Sequence, residues 1–501
     1  MDKLTITTLG ELKEFGIKTG SIKEELRRNL LETFKNGKNP FTGIIGYEDT
    51  VIPDIETAIL SGHNMLLLGL RGQAKTKIAR LFTNLLDEYI PVIKGTEIND
   101  DPFNPVSFEG KKIIKESGDN TTIEWLHRDE RYSEKLATPD VTIADLIGDV
   151  DPIKAANLRL PYSDERVIHF GIIPRSHRGI FVINELPDLQ ARIQVALFNL
   201  LQEKDAQIRG FKLRLPLDIQ FVFTANPEDY TNRGSIVTPL KDRIESQILT
   251  HYPKEISSAK DITKSEARVS NDRSSKIFMN DVLHNILEEI SFQARKSEYI
   301  DINSGVSARL SISALENLYS SAERRMLKNN ESETMIRVSD FKSVIPAITG
   351  KVELVYEGEQ EGPFKVANIL IGKAIKEHFS KYFPNPDKLK KVEGSNPYKE
   401  ITNWFNNGNS IDMFFDESFS SYKNKLASIP GLEPLIENSN LTYSDDHEKY
   451  LLMEFALNGL AEYSLISKLG LERKIRFDDM LSGMFSTEDD EYDYDDNEPY
   501  L

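Results

Sequence analysis

Hydrophobic positions change rhythm along the chain. Between Gly43 and about Tyr252, short apolar runs alternate with segments of helical period, the pattern of an α/β domain built on a parallel sheet. Three runs predict the main strands: Asn64–Leu68 (NMLLL), Gly179–Ile183 (GIFVI) and Ile219–Thr224 (IQFVFT). The first two are nearly unbroken, as strands covered on both faces should be. Ile78, Leu81, Phe82 and Leu85 form an i, i+3, i+4, i+7 stripe, and Ile193, Leu197, Leu200 and Leu201 give Leu189–Glu203 a helical face. Upstream, Ser21 and Glu24 have capping-box spacing ahead of Leu26, Leu30 and Leu31, so the first forty residues read as helical.

Beyond Tyr252 the pattern shifts. Polar residues cluster from Pro253 to Lys276, which reads as a linker or loop. The period is helical from Asn280 to about Phe383, with Ile286, Ile290 and Phe292 in one segment and Leu310, Leu315 and Leu318 in another. A second polar break, Pro384–Lys399, precedes another mostly helical region ending near Met484. The final stretch, EDDEYDYDDNEPYL, is too charged to pack and is expected to be disordered.

Composition narrows the function classes. At 501 residues, 39 % hydrophobic and 28 % charged, the chain has the make-up of a globular protein of about three compact units. Its net charge is −18, and eight of the acids lie between Glu488 and Glu498, leaving about −10 on the remainder. Such a body is poorly suited to blanket binding of a phosphate backbone, so nucleic acid is not an expected partner. With no cysteine, disulfides, zinc–thiolate sites and Cys nucleophiles are excluded. The eight histidines show no H-E-x-x-H spacing. No apolar run approaches the ~18 residues of a membrane span. The opening MDKLTITTLGELKEFG lacks an apolar signal core, which gives the expectation of a cytoplasmic protein.

The strongest chemical signal lies around Gly69. Leu66–Leu68 leads into Gly69-Leu-Arg71-Gly72-Gln73-Ala74-Lys75-Thr76-Lys77 and then the helical stripe. The segment approximates G-x-x-x-x-G-K-[ST], with Ala74 where the second glycine normally sits. In such a loop successive backbone N–H groups surround phosphates, Lys75 meets the β/γ oxygens and the Thr76 hydroxyl ligates Mg²⁺. Alanine resists positive φ, so the loop is expected to be altered there. Next, Gly179–Ile183 ends in Asn184-Glu185. An acid usually stands at the first position to support the Mg²⁺ waters; Asn184 keeps a carbonyl acceptor without the charge. Glu185 is the candidate that orients or deprotonates the attacking water. The strand Phe221–Ala225 ends at Asn226-Pro227, where Asn226 either bonds a γ-phosphate and its neighbouring water or simply stops the strand. Arg243, in TPLKDR, reads either as a residue reaching a neighbouring subunit's nucleotide or as a solvated side chain. His177-Arg178, just before the acidic strand, reads equally as a coupling pair or as a polar turn.

Taken in order, these motifs resemble the AAA+ ATPases, in particular the branch of the magnesium-chelatase ATPase subunit and MoxR. The resemblance rests on GLRGQAKT (Gly69–Thr76), GIFVINELPDL (Gly179–Leu189), TANPEDYTNRG (Thr224–Gly234), TPLKDRI (Thr238–Ile244) and SGVSARLSISALENL (Ser304–Leu318). It implies an AAA+ P-loop parallel-sheet domain with a helical lid and, beyond it, a mostly helical C-terminal region. The segment Gln190–Pro216 is similar to the clade's pre-sensor hairpin and Glu165–His177 to its helix-2 insertion. The division expected is a helical N-terminal segment (1–40), the nucleotide-binding α/β domain (41–252), a helical lid (276–383), a helical C-terminal domain (396–485) and an acidic tail (486–501). The resemblance implies phosphate binding by Gly69, Arg71, Gly72, Gln73, Ala74, Lys75, Thr76 and Lys77, and metal ligation at Thr76 and Asn184. It assigns catalytic roles to Glu185, to Asn226 as first sensor, to Arg243 as arginine finger and to Arg309 as second sensor. It further implies ATP and Mg²⁺, a ring, usually a hexamer in such proteins, acting on a protein client, and a partner with a von Willebrand factor A domain. The competing expectation, motivated by Ala74 and Asn184, is a nucleotide-gated scaffold with little hydrolysis. The segment VYEGEQEGP (Val355–Pro363) has no assigned chemistry.

Overall fold

The computed structural model describes residues 3–162, 164–208, 211, 214–227, 235–389, 396–439 and 441–480. The chain forms two compact units, Met1–Tyr252 and Pro253–Leu501. The acidic tail 486–501 and most of the polar segment after Pro227 lie outside the described residues.

In the first unit, α1 (Leu9–Glu14) and α2 (Ile22–Lys35) each begin with a capping box, and α2 buries Leu26 and Leu30 while Leu31 faces solvent. Next come α3 (Val51–Ser61), β1 (Met65–Leu68), α4 (Lys75–Leu81), β2 (Tyr89–Ile93), α5 (Phe108–Ser117), β3 (Ile123–His127) and β4 (Tyr132–Leu136). An excursion follows: α6 (Ile143–Leu146), β5 (Gly148–Val150), α7 (Pro152–Leu158), β6 (Ile168–Phe170) and α8 (Ile172–Arg175), with β5 and β6 paired antiparallel. The chain then returns through β7 (Gly179–Asn184), α9 (Ala191–Gln202), the hairpin β8 (Asp205–Gln207) and β9 (Arg214–Pro216), β10 (Ile219–Ala225) and β11 (Ser246–Leu249).

Five of these strands make one wholly parallel sheet in the order β11-β1-β10-β7-β4. Every residue of β10 is buried, and so are the first five of β7, because helices cover both faces. The fold class is therefore the expected one: a parallel five-stranded sheet with a loop and helix after its first strand, followed by a largely helical region.

The N-terminal helices belong to this body through a buried ion pair. Arg131 donates from both terminal nitrogens to the Glu25 carboxylate at 2.7 and 2.6 Å, and through Nε to Arg178 O at 2.9 Å. His177 and Arg178 are buried here rather than forming a solvated turn.

The second unit differs from its sequence reading in two places. The polar stretch Pro253–Lys276 contains helices Ile256–Glu266 and Asn271–Lys276; the first buries Ala259 and Thr263, an apolar face too sparse for a periodicity count. The C-terminal region also carries a three-stranded antiparallel sheet of β12 (Ile411–Phe414), β14 (Lys474–Asp478) and β13 (Ser467–Gly470). One hydrophobic core runs from Ile277 through Leu318, Phe341 and Phe379 to Tyr422, Phe455 and Phe477. At its centre, helix Asp446–Glu462 is buried continuously from Tyr450 to Leu460. A β-carbon on Gly459 would lie 2.0 Å from the Phe379 ring, so that helix meets Pro363–Tyr382 at a distance only glycine permits. The VYEGEQEGP segment forms the short helix Tyr356–Glu361. Among the described residues no helix is long and apolar enough to cross a membrane.

Burial pushes the His177 imidazole down to about 3, with Arg178 adding to the shift, and its Nδ1 accepts the Asp218 N–H at 3.0 Å. The folded value lies below the unfolded one of about 6.5, so the unfolded chain binds the proton first and stability falls as pH drops below about 6.5. The melting temperature of the first unit is expected to decline between pH 6.5 and 4, less steeply in His177→Gln, which keeps an acceptor without titrating. Identical slopes for the two proteins in a calorimetric pH series would refute this.

Candidate functional site

β1 ends between the C-terminal ends of two strands that come much later in sequence, β10 and β11. Ligands of open parallel sheets sit in such crevices, outside the carboxyl ends of the strands. Gly69 N–H donates to Ala225 O at 3.1 Å, extending the β1–β10 ladder by one residue. A β-carbon on Gly69 would lie 1.9 Å from Thr250 Oγ1 and 2.2 Å from Gln73 Oε1, so any side chain there would displace the Thr250 hydroxyl and the Gln73 amide that bond each other.

The exit of β11 holds the loop from outside. The Thr250 hydroxyl donates to Gln73 Oε1 at 2.7 Å, and the Tyr252 hydroxyl to Arg71 O at 2.8 Å. The Tyr47 hydroxyl lies 2.7 Å from His251 O and 3.1 Å from Gln73 O; burial pushes it up to about 12, which keeps it protonated as a donor. Gly72 has φ +73° and Ala74 has φ +58°, ψ +13°. The glycine-less position thus adopts the left-handed turn that leads into α4 rather than altering the loop, at a cost of about 1–2 kcal/mol for a residue with a β-carbon.

Inside the turn, the buried Lys75 ammonium donates to Gly69 O, to Leu70 O at 3.0 Å and to Asn226 Oδ1 at 2.6 Å. Asn226 passes the link on, its Nδ2 donating to Glu185 Oε2 at 2.9 Å. Glu185 is itself left-handed, φ +56°, with its N–H donating to Thr224 Oγ1 at 3.1 Å. The Thr224 hydroxyl donates to Asn184 Oδ1 at 3.2 Å, and Thr76 reaches the same oxygen at 3.5 Å. The structure therefore gathers Gly69–Thr76, Asn184, Glu185 and Asn226 into one constellation. Lys77 turns away to donate to Gly43 O at 2.9 Å, and Arg71 is exposed.

The two other arginines are placed differently. Arg243 donates through Nε to Gln202 Oε1 at 3.0 Å and to Pro239 O at 2.7 Å, with its guanidinium 4.9 Å from the Phe198 ring centroid. Arg309 is exposed at the first residue of helix Arg309–Lys328 in the second unit. Thr224, Thr250, Tyr47 and Tyr252 were not singled out from sequence. A usable signal existed for Thr224 alone: it precedes Asn226 by two, which puts both on one face of the strand.

A buried ammonium that donates to two backbone carbonyls and a side-chain amide, in a turn closed by a tight glycine, suits an anionic phosphate, which outcompetes carbonyl oxygens for an ammonium. The same donor set suits a divalent cation less well: it offers the Thr76 hydroxyl and the amide of Asn184. Among the described residues no group of three or more His, Asp or Glu side chains is arranged to hold a metal ion.

No protein-family model matches the chain. Among solved structures it is similar to the magnesium chelatase BchI–BchD complex, at 17 % identity over 64 % of this chain and 98 % of that one, with a TM-score of 0.33. It is also similar to NtrX from Brucella abortus, at 11 % identity over 72 % and 70 % of the two chains, TM-score 0.38. A third likeness is to RuvB of Thermotoga maritima, at 10 % identity over 67 % and 77 %, TM-score 0.34.

The Ala74 conformation is directly testable. Ala74→Gly removes the left-handed penalty at the loss of one half-buried methyl, and is expected to be neutral or to stabilise by up to about 1 kcal/mol in denaturant titrations. A loss of more than about 1 kcal/mol would mean that the residue does not occupy this turn.

Proposed function

We propose that the first unit binds ATP with its phosphates in the Gly69–Thr76 turn and hydrolyses it, and that the chain works as a ring ATPase of the AAA+ type, hexameric by resemblance, on a protein client. The observation that carries this reading is the continuous link from the Lys75 ammonium through Asn226 to the Glu185 carboxylate. A phosphate arriving at Lys75 competes for the ammonium that Asn226 now holds. The amide then has an oxygen to offer elsewhere, while its nitrogen still aims the Glu185 carboxylate. Glu185 accepts the proton of the attacking water, and the bound nucleotide supplies the anhydride bond that breaks.

Arg243 enters the proposal as the group offered to a neighbouring copy's nucleotide, and Arg309 as a second phosphate sensor. Both roles rest on the resemblance, as do the partner with a von Willebrand factor A domain, a part for Mg²⁺ in turnover and a cytoplasmic location. Arg243, just past helix Thr238–Lys241, packs its guanidinium against Phe198 and Gln202 of α9, which fixes where the side chain is held. The second reading, a nucleotide-gated scaffold with little turnover, is favoured by the uncharged Asn184.

Lys75→Ala is expected to abolish binding of a fluorescent ATP analogue, since it removes the buried ammonium. Glu185→Gln keeps the hydrogen bond to Asn226 but not the base, so binding should survive while phosphate release drops by roughly 10²–10⁴-fold. Turnover of the wild type should rise with protein concentration if a neighbour completes the site. Unimpaired binding by Lys75→Ala would sink the assignment of the site.

A further inference from the structure

We infer that nucleotide binding at this site draws little on a divalent cation, because Asn184 has already committed its acceptor oxygen to two threonines. The inference rests on the nucleotide reading above. It begins with the direction of one hydrogen bond. Glu185 N–H donates to Thr224 Oγ1 at 3.1 Å, which leaves the threonine hydrogen free to point at the Asn184 amide, 3.2 Å away. The atom facing it is the amide oxygen, not the amide nitrogen. The Thr76 hydroxyl lies 3.5 Å from that same oxygen, a longer bond to the remaining lone pair.

An amide oxygen has two lone pairs, and the other end of the group is an NH₂ that only donates. Magnesium keeps several of its waters when bound by a protein, and those polarised waters donate hydrogen bonds. Carboxylates usually receive them, because each offers about four lone-pair sites and a compensating charge. Asn184 offers no charge, and its oxygen already accepts from Thr224 and faces Thr76. When the Thr76 oxygen turns to a cation, its hydrogen still points to Asn184, so the shortage persists.

The neighbouring carboxylates do not obviously replace it. Glu185 is held at Oε2 by Asn226. Asp188 lies one turn further on, in the 3-10 segment Leu186–Asp188. Thr224 is thus a positioning residue with two effects: it fixes the left-handed Glu185 and it points the Asn184 amide. The Asn184 site is a place where the shape of a triphosphate pocket is kept and its metal-water acceptor is not.

The test measures affinity, not turnover. The full-length chain is titrated with a fluorescent ATP analogue in EDTA and in millimolar Mg²⁺, for the wild type, Asn184→Asp and Asp188→Asn, with circular dichroism as the folding check. Wild-type affinity should change by less than about threefold on adding Mg²⁺, and that of Asn184→Asp by more than about tenfold, since the new carboxylate can serve the threonines and the metal waters together. A wild-type gain of about tenfold or more overturns the inference. If that gain is then lost in Asp188→Asn, Asp188 is the acceptor that replaces Asn184. If Asn184→Asp does not fold, a wild-type change below threefold still supports the inference. Absence of nucleotide binding in both media overturns the nucleotide reading itself, an outcome distinct from nucleotide binding with strong Mg²⁺ dependence.

Discussion

The insertion of β10 between β1 and β7 is the constraint on which the site depends. The loop after Leu68 and the polar pair Asn184-Glu185 end on strands, β1 and β7, that do not pair with each other but both pair with β10. With β10 between them, the Gly69 turn, Asn226 and Asn184-Glu185 emerge side by side from adjacent strands. All seven residues of β10 are buried, so the polar groups near its end have little water available. Burying an amide or hydroxyl without a partner costs roughly 1–3 kcal/mol in proteins. Thr224 and Asn226 must therefore bond to what adjoins them, and what adjoins them is Asn184, Glu185 and Lys75. The hydrogen-bonded chain follows from topology combined with burial.

The second unit solves a similar problem with full charges. Arg325 donates to Asp340 at 2.5 Å and to Met335 O at 2.6 Å, both side chains almost wholly buried. Close by, Glu454 accepts from Val338 N, Ser339 N and the Tyr422 hydroxyl, each at 2.9 Å, and Arg337 stacks 4.1 Å from the Tyr422 ring centroid. Burial pushes the Glu454 carboxyl up, and those three donors hold it in place. Buried pairs add little net stability compared with an apolar replacement, but losing one partner costs about 3–5 kcal/mol. The network thus penalises any packing in which helix Asp446–Glu462 slips against the Val338–Val344 turn. It specifies register more than it adds stability.

Much of the first unit was legible because its signals are local. Three strands were predicted nearly to the residue, since runs buried on both faces need no context to be recognised. The Ser21–Glu24 capping box and α9 were readable for the same reason. The helix Ile256–Glu266 was not: its buried residues include Thr263, a polar type that a hydrophobicity pattern passes over. The C-terminal sheet was missed because β13, SKLG, and β14, KIRFD, are short and mixed in polarity, and they become strands only by pairing. In the site, sequence located the loop and strand ends but not Thr224 or Thr250, whose importance comes from partners far along the chain, 177 residues away for Thr250 and Gln73 and 182 for Thr250 and Leu68.

Ala74 and Asn184 depart from the usual motif in opposite ways. Ala74 keeps the shape and carries the energetic cost: a β-carbon is held at φ +58° because the Gly69 exit, the Thr250–Gln73 bond and the start of α4 together leave the chain no other path. Such strain persists only where the surroundings over-determine it. Asn184 carries no strain and differs from aspartate by one heavy atom, yet it exchanges a charged acceptor for a neutral amide with a donor end. A backbone trace would register neither change. Shape therefore speaks to whether phosphates can enter this turn, whereas the count of lone pairs around Asn184 bears on what would happen to them there, and because one residue follows β1 and the other ends β7 the two properties can be selected separately.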